Sequence, residues 1–150
     1  MFTPTTKEEL QDAVNLWCEN EESALEKYGN INTWNVSKMT DMTNLFGSKK
    51  DFNSDISNWD VSNVTNMEGM FQYARSFNSD ISNWDVSNVT DMAYMFNDAK
   101  SFNSDISKWD VSNVTDMNWM FYFARTFNQD ISNWNVSNVT DMKGMFEIQK

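Results

Sequence analysis

Asp55-Ile56-Ser57-Asn58-Trp59-Asp60-Val61-Ser62-Asn63-Val64-Thr65-Asn66-Met67-Glu68-Gly69-Met70-Phe71 is one copy of a string that recurs along most of this chain. Trp34, Trp59, Trp84, Trp109 and Trp134 set its 25-residue phase, and a second Phe follows the first (Phe77 after Phe71). A fixed period of roughly 20–50 residues is the mark of a solenoid, in which each coil buries its apolar face against the next.

The columns are regular. Ile31, Ile56, Ile81, Ile106 and Ile131 share one, Val36, Val61, Val86, Val111 and Val136 a second, and Met39, Val64, Val89, Val114 and Val139 a third. Counted from Ile56, the apolar residues Ile56, Trp59, Val61 and Val64 hold positions 1, 4, 6 and 9. Those are the inward positions of L-x-x-L-x-L-x-x-N in a leucine-rich repeat. The spacing predicts a short strand at Trp59-Asp60-Val61. Side chains alternate along a strand, so Asn58, Asp60 and Ser62, with Asp85 and Asp110 in the equivalent columns, would face outward along a concave sheet.

Met67, Met70 and Phe71 then follow at i, i+3, i+4, the inward stripe of a short helix. Thr65 is expected to cap it. The next residue is Asp in most copies (Asp41, Asp91, Asp116, Asp141), favourable at the positive end of a helix. Ala74, Ala99 and Ala124 leave room inside, and Phe52, Phe77, Phe102 and Phe127 form another buried column. The expected fold is an α/β solenoid, a leucine-rich-repeat-like right-handed stack of short parallel strands plus short helices. About four and a half repeats would fill 31–150, behind an α-helical N-terminal cap at 1–30, as one structural domain. In that cap Thr6-Lys7-Glu8-Glu9 reads as a capping box, Leu10, Ala13, Val14 and Trp17 follow at helical spacing, a second helix carries Ala24, Leu25 and Tyr28, and Gly29 stops it.

Composition excludes more chemistry than it offers. The formal charge is −11, which disfavours phosphate backbones and anionic membranes. No long apolar run exists to span a bilayer, and Met1-Phe2-Thr3-Pro4 lacks the basic-then-apolar pattern of a secretory signal. Histidine is absent and cysteine occurs once, as Cys18. Ser-His-Asp triads, Cys-His dyads and most zinc sites are therefore ruled out, and Cys18 reads as a small hydrophobe on the cap. No enzyme activity and no cofactor are expected. Met-x-x-Met could ligate copper(I), but flexible core filler is the better reading.

The string D-I-S-x-W-D-V-S-N-V-T-D-M-x-x-M-F, from about Asn30 to Phe146, resembles the repeat of BspA-like leucine-rich-repeat surface proteins, including the repeat domain of mycoplasma lipoproteins. The cap segments Leu16-Trp17-Cys18-Glu19-Asn20 and Tyr28-Gly29-Asn30-Ile31 look like their lead-in. The resemblance implies a repeat scaffold at a cell surface, with adhesion or partner binding as its role and no catalytic residue to carry over.

Several polar columns are candidates for chemistry. Asp55, Asp80, Asp105 and Asp130 stack in one, where calcium could bridge successive carboxylates or each could accept turn N–H groups of its own coil. Lys50, Arg75, Lys100, Arg125 and Lys150 share a basic column, with a row of Asp as the expected partner. The Thr column from Thr40 to Thr140 fits capping better than an ice-binding face. The Asn-x-Ser/Thr sequons at Asn35, Asn63, Asn88, Asn113, Asn135 and Asn138 come with the repeat.

The copies differ most in two patches, the pair before the inner Met and the loop after the first Phe. There lie Tyr73, Tyr94, Trp119, Tyr122 and Phe123, at positions where other copies hold residues such as Gly or Asp. Exposed aromatics of this kind mark a protein or glycan contact, or else cover gaps between coils. Two functions are expected from these features: a non-catalytic surface adhesion module, using either the Asn/Asp/Ser face or the aromatic patch, or an architectural spacer that self-associates through its far end. After Phe146 only four residues remain, so the last coil is expected to expose Ile131, Trp134, Val136, Met142 and Met145 to further repeats or to a second chain.

Overall fold

In the computed structural model, residues 1–147 are described. Lys150 of the basic column lies outside the described residues. Helix α1 spans Lys7–Glu19 and α2 spans Glu21–Tyr28. Thr6 caps α1 by accepting the Glu9 N–H at 3.1 Å, which satisfies one free N-terminal donor. The second half of the capping box does not form as expected, because the Glu9 carboxylate accepts the Thr5 hydroxyl instead. Asn20 ends α1 and starts α2: its N–H donates to Leu16 O and its side chain accepts the Ser23 N–H. Gly29 closes α2 with a positive φ of 77°.

Leu10, Ala13, Val14 and Trp17 are buried against the first coil (31–55). Gln11 Nε2 donates to Leu45 O at 3.0 Å and Trp17 Nε1 to Ser54 Oγ at 2.9 Å. Phe2, Tyr28 and Trp17 surround Trp34 with ring centroids 5.3, 5.8 and 6.0 Å away.

The repeats contradict the expected α/β solenoid. Among the described residues there is no strand, and no helix beyond α1 and α2 apart from a 3-10 turn at Ile31–Thr33. Asp41, Asn66, Asp91, Asp116 and Asp141 form four isolated parallel bridges in succession. The leucine-rich-repeat description, with its parallel strands and short helices, is therefore withdrawn.

The reason lies in where the backbone N–H groups go. Asp55 and Asp60 each accept the N–H of the Ser two residues on, at 2.9 and 3.0 Å, and such Asx turns compete with a sheet ladder. Trp59 N and Val64 N donate within their own coil to Ile56 O and Val61 O. Trp59-Asp60-Val61 thus lies between turns and cannot pair as a strand.

The expected helix fails in the same way. Met67, Gly69 and Phe71 donate N–H to Asp91, Ala93 and Met95 of the next coil, while Met70 and Gln72 donate back to Met67 and Gly69. A helix needs every N–H for the residue four back. Here alternate N–H groups leave the coil, and the others close four-residue turns. Thr65 is not a cap, since its N–H and hydroxyl both donate to Thr40 O of the preceding coil. The cap-like bond belongs to its neighbour: Asn66 Oδ1 accepts the Glu68 N–H, as Asp91 does for Ala93.

Successive coils (56–80, 81–105, 106–130 and 131–147) are held at a 25-residue offset by bonds that repeat. Thr65, Thr90, Thr115 and Thr140 each donate N–H to the previous Thr carbonyl at 2.8 Å. Trp59, Trp84, Trp109 and Trp134 send Nε1 to Ile O of the preceding coil at 2.8–3.2 Å. Asn63, Asn88, Asn113 and Asn138 send Nδ2 to Ser O at 2.6–2.8 Å. Buried polar groups must be paired, as the Trp indoles are; with the exposed Asn they link the coils where a sheet would use its backbone.

Inside, Phe46, Phe71, Phe96, Phe121 and Phe146 stack at 5.4–5.7 Å. Phe52, Phe77, Phe102 and Phe127 stack beside them at 5.8–6.0 Å. Met42, Met67, Met92 and Met117 are fully buried alongside. One apolar cluster runs from Leu10 to Met145, so cap and coils share a core. At the far face, Met142 and Phe146 are 42% and 57% exposed. Trp134 and Met145, expected to be bare, are buried, and Ile131 and Val136 are half-buried.

Candidate functional site

The expected concave sheet face is a run of turns. Asn58 is exposed and its N–H donates to Asn32 Oδ1. Ser62 and Ser87 each turn their hydroxyl onto Asp60 and Asp85 at 2.6 Å. The Ser62 hydroxyl and N–H hold Asp60 below the usual carboxylate range, and Ser112 does the same for Asp110. The Asp carboxylates are thus satisfied by Ser of their own coil, while Asn58 bonds to the coil before it.

The calcium candidates are similar. Asp55, Asp80, Asp105 and Asp130 are exposed, and each accepts the N–H of the Ser two residues on at 2.9 Å. Hydrogen bonds from that Ser lower all four carboxyls. Among the described residues no three such side chains come together around one point. The basic column also lacks its expected row of partners. Arg75 meets the buried Asp98 at 2.8 Å and Lys100 reaches the same carboxylate at 4.0 Å; a single Asp serves two cations.

Cys18 is exposed on the cap rather than packed into it. Crowding in the cleft around it nonetheless pushes its thiol up to about 11, so it stays protonated at neutral pH and is a poor nucleophile. That cleft, about 330 Å³ between Trp17, Lys49, Phe52 and Ser54, was not foreseen from sequence. Lys49 and Lys50 on its wall are offset by Glu19, Glu21 and Asp51.

The variable positions share a backbone state. Asn44, Gly69, Tyr94, Trp119 and Gly144 occupy one column, and all five have φ between 55° and 64°. Ser48, Tyr73, Asp98 and Phe123 occupy the other, with φ of 56–61°. The left-handed region suits Gly and Asn, and bulky side chains adopt it only against a steric cost. Four of the five aromatics singled out by repeat variation therefore stand in a conformation that disfavours them. None of the four, nor Tyr122, belongs to the core cluster.

On the fourth coil three of these aromatics gather. Trp119 meets Tyr122 edge-on at 4.8 Å, and Tyr122 meets Phe123 at 4.2 Å. Lys143 Nζ lies 5.9 Å from the Trp119 ring and the Arg125 guanidinium 5.8 Å from Phe123. All three rings are half-exposed. The Trp119 ring also lies across the backbone of Gly144, where an added Cβ would come within 2.2 Å of it. Tyr73, 42% exposed, and Tyr94 stand apart from this trio on earlier coils. The shared Gly and Asn in the Tyr94 and Trp119 column were the signal for left-handed backbone.

The arrangement offers flat aromatic surface flanked by two cations on an otherwise acidic chain. It holds no nucleophile beside a base. A family model described as "Mycoplasma protein of unknown function, DUF285" matches residues 17–114 and again 83–150. No curated protein and no solved structure matches the chain.

Proposed function

The chain belongs to the DUF285 family of Mycoplasma proteins of unknown function, and on that premise we propose that it is a non-catalytic binding module. Its coil stack presents Trp119, Tyr122 and Phe123 to a protein or glycan partner at a cell surface. The surface location follows the resemblance to BspA-like repeat proteins. The contact surface rests on one observation: Tyr73, Tyr94, Trp119 and Phe123 occupy left-handed positions outside the core.

A left-handed bulky residue costs roughly 1–2 kcal/mol. Gly69 and Gly144 fill the same column without that cost. Selection for stability alone would favour Gly or Asn at each site. Large rings kept there point to a task outside folding, and half-exposed Trp and Tyr are the residues most enriched in contact hot spots.

The test is a combined Trp119→Asn, Phe123→Asn variant, followed by thermal melting and by binding to glycan arrays and immobilised surface proteins. The expected outcome is an unchanged or raised Tm with loss of a ligand that the parent chain binds. A Tm drop of more than about 5 °C, on the scale of 1 kcal/mol or more, would make the trio packing residues and end this reading. The spacer alternative draws less support. Head-to-tail stacking of whole chains needs a bare first coil, and α1 lies across it.

A further inference from the structure

The loops that carry the second Phe column dock on one another in a repeated way. Asn78, Asn103 and Asn128 each donate N–H to the side-chain oxygen of the Asn one coil earlier, at 2.7–2.8 Å. The residue that follows, Ser79, Ser104 or Gln129, donates from its side chain to the main-chain carbonyl of that same Asn, at 2.8–3.1 Å. Two neighbouring donors thus grip one Asn by both of its oxygens.

Asn53 and Ser54 hold the same two positions on the first coil, where α1 stands in place of a preceding coil. A helix spends its carbonyls on its own N–H groups, so α1 supplies no Asn in that register. It sends a donor instead, Trp17 Nε1 to Ser54 Oγ at 2.9 Å, which occupies the hydroxyl oxygen and leaves its proton. Among the described residues neither the Asn53 N–H nor the Ser54 hydroxyl proton has an acceptor. Both residues line the cleft of about 330 Å³ between α1 and the first coil. We propose that this cleft is a binding site for a short Asn-containing peptide, whose Asn gives its side-chain and main-chain oxygens to these two donors.

Size and charge narrow the class. Ligand sites run from roughly 300 to 1,000 Å³, so this one is small and suits a di- or tripeptide. Trp17 and Phe52 give it apolar wall, while Lys49 and Lys50 stand among Glu19, Glu21 and Asp51. Mixed walls of this kind favour a zwitterion with a free ammonium and a free carboxylate over a polyanion. The cleft lies on the cap side of the first coil, apart from the Trp119 trio on the fourth, so the two sites stand or fall separately.

The experiment titrates the free tripeptide Gly-Asn-Ser into the isotope-labelled full chain and follows the Asn53 amide and the Trp17 indole N–H. Saturable shifts at these two signals are expected at millimolar peptide, with the Trp119 indole unmoved. Gly-Ala-Ser lacks the side-chain oxygen and should bind about fivefold more weakly, the loss of one hydrogen bond. Cys18 is exposed on the α1 wall of the cleft, so Cys18→Trp should fill the space, abolish the shifts and leave Tm unchanged. The Gly-Ala-Ser comparison uses the parent chain and holds whether or not that variant folds. No saturable shift, shifts centred away from Asn53 and Trp17, or equal binding of Gly-Ala-Ser would overturn the proposal. So would undiminished binding to a folded Cys18→Trp.

Discussion

The cap and the coils solve the same problem with opposite means. In α1 and α2 the backbone N–H groups beyond the first turn find carbonyls four residues back, so local letters decide the structure: Thr6 starts it, Asn20 turns it and Gly29 stops it. In the coils the decisive partner lies 25 to 28 residues away, as between Thr65 and Thr40 or Trp84 and Ile56. The cap is ordered by its own sequence, whereas a coil acquires its backbone conformation only beside another coil. The comparison can be broken most forcefully at Trp84. Trp84→Ala removes a buried indole and its bond to Ile56 O, and should cost about 3–5 kcal/mol, measured from the urea midpoint. Leu10→Ala, buried under the cap, should cost about 2–5 kcal/mol. Because cap and coils share one core, helical ellipticity and tryptophan fluorescence should give coincident transitions in both variants. A helix signal that persists after the fluorescence change would show the cap to be independent.

A second test stays within the coils. Gly69 and Gly144 both have positive φ, but their surroundings differ. A Cβ on Gly69 meets the free end of Asn44, whereas a Cβ on Gly144 meets the Trp119 ring. Gly69→Ala should cost roughly 1–2 kcal/mol from backbone strain, since Asn44 can swing aside. Gly144→Ala should cost more, and Trp119→Ala should remove the excess. A double-mutant cycle checks this; additivity within about 0.5 kcal/mol would mean that the two residues do not touch in solution.

The same contrast explains what could be read in advance. The buried columns of Ile, Trp, Val, Met and Phe were legible, because apolar spacing reports which side chains point inward. Spacing of 1, 4, 6 and 9 does not report the backbone between them. Trp59-Asp60-Val61 and Met67–Phe71 satisfy strand and helix templates while their N–H groups serve turns and neighbouring coils. The letters that would have told the difference are polar: D-x-S occurs twice in each of the three central repeats, at Asp55 and Asp60, Asp80 and Asp85, Asp105 and Asp110, and each occurrence is an Asx turn. Of the candidate site, the five aromatics stood out because sister copies hold Gly, Asn, Gln, Ser or Asp. Their left-handed backbone was encoded in the same column by Asn44, Gly69 and Gly144, but Tyr94 and Trp119 obscured it.

The smallest effect separates two acidic rows that look alike in sequence. Asp60 and Asp110 are lowered by hydrogen bonds from Ser62 and Ser112, so they stabilise the fold above the unfolded value of about 3.9. That contribution is lost as pH falls through their folded values. Asp91 is raised, first by burial and then by Asp116, against the pull of the Ala93 N–H; Glu68 is raised by burial and by Asp91, Asp116 and Asp41. For these two the sign reverses. The favourable contribution is present below the unfolded pKa and disappears as pH rises through the folded value, leaving a penalty at neutrality. Asn66 already occupies the Asp91 column and keeps the same turn bond, so Asp91→Asn preserves geometry and removes charge. It should raise Tm slightly at pH 7 and leave it unchanged near pH 3, whereas Asp60→Asn should lower Tm at pH 7 by an amount that shrinks on acidification. Melting curves of both variants across that range decide the matter, and a destabilising Asp91→Asn at pH 7 would mean that the row is held together by its charges rather than strained by them.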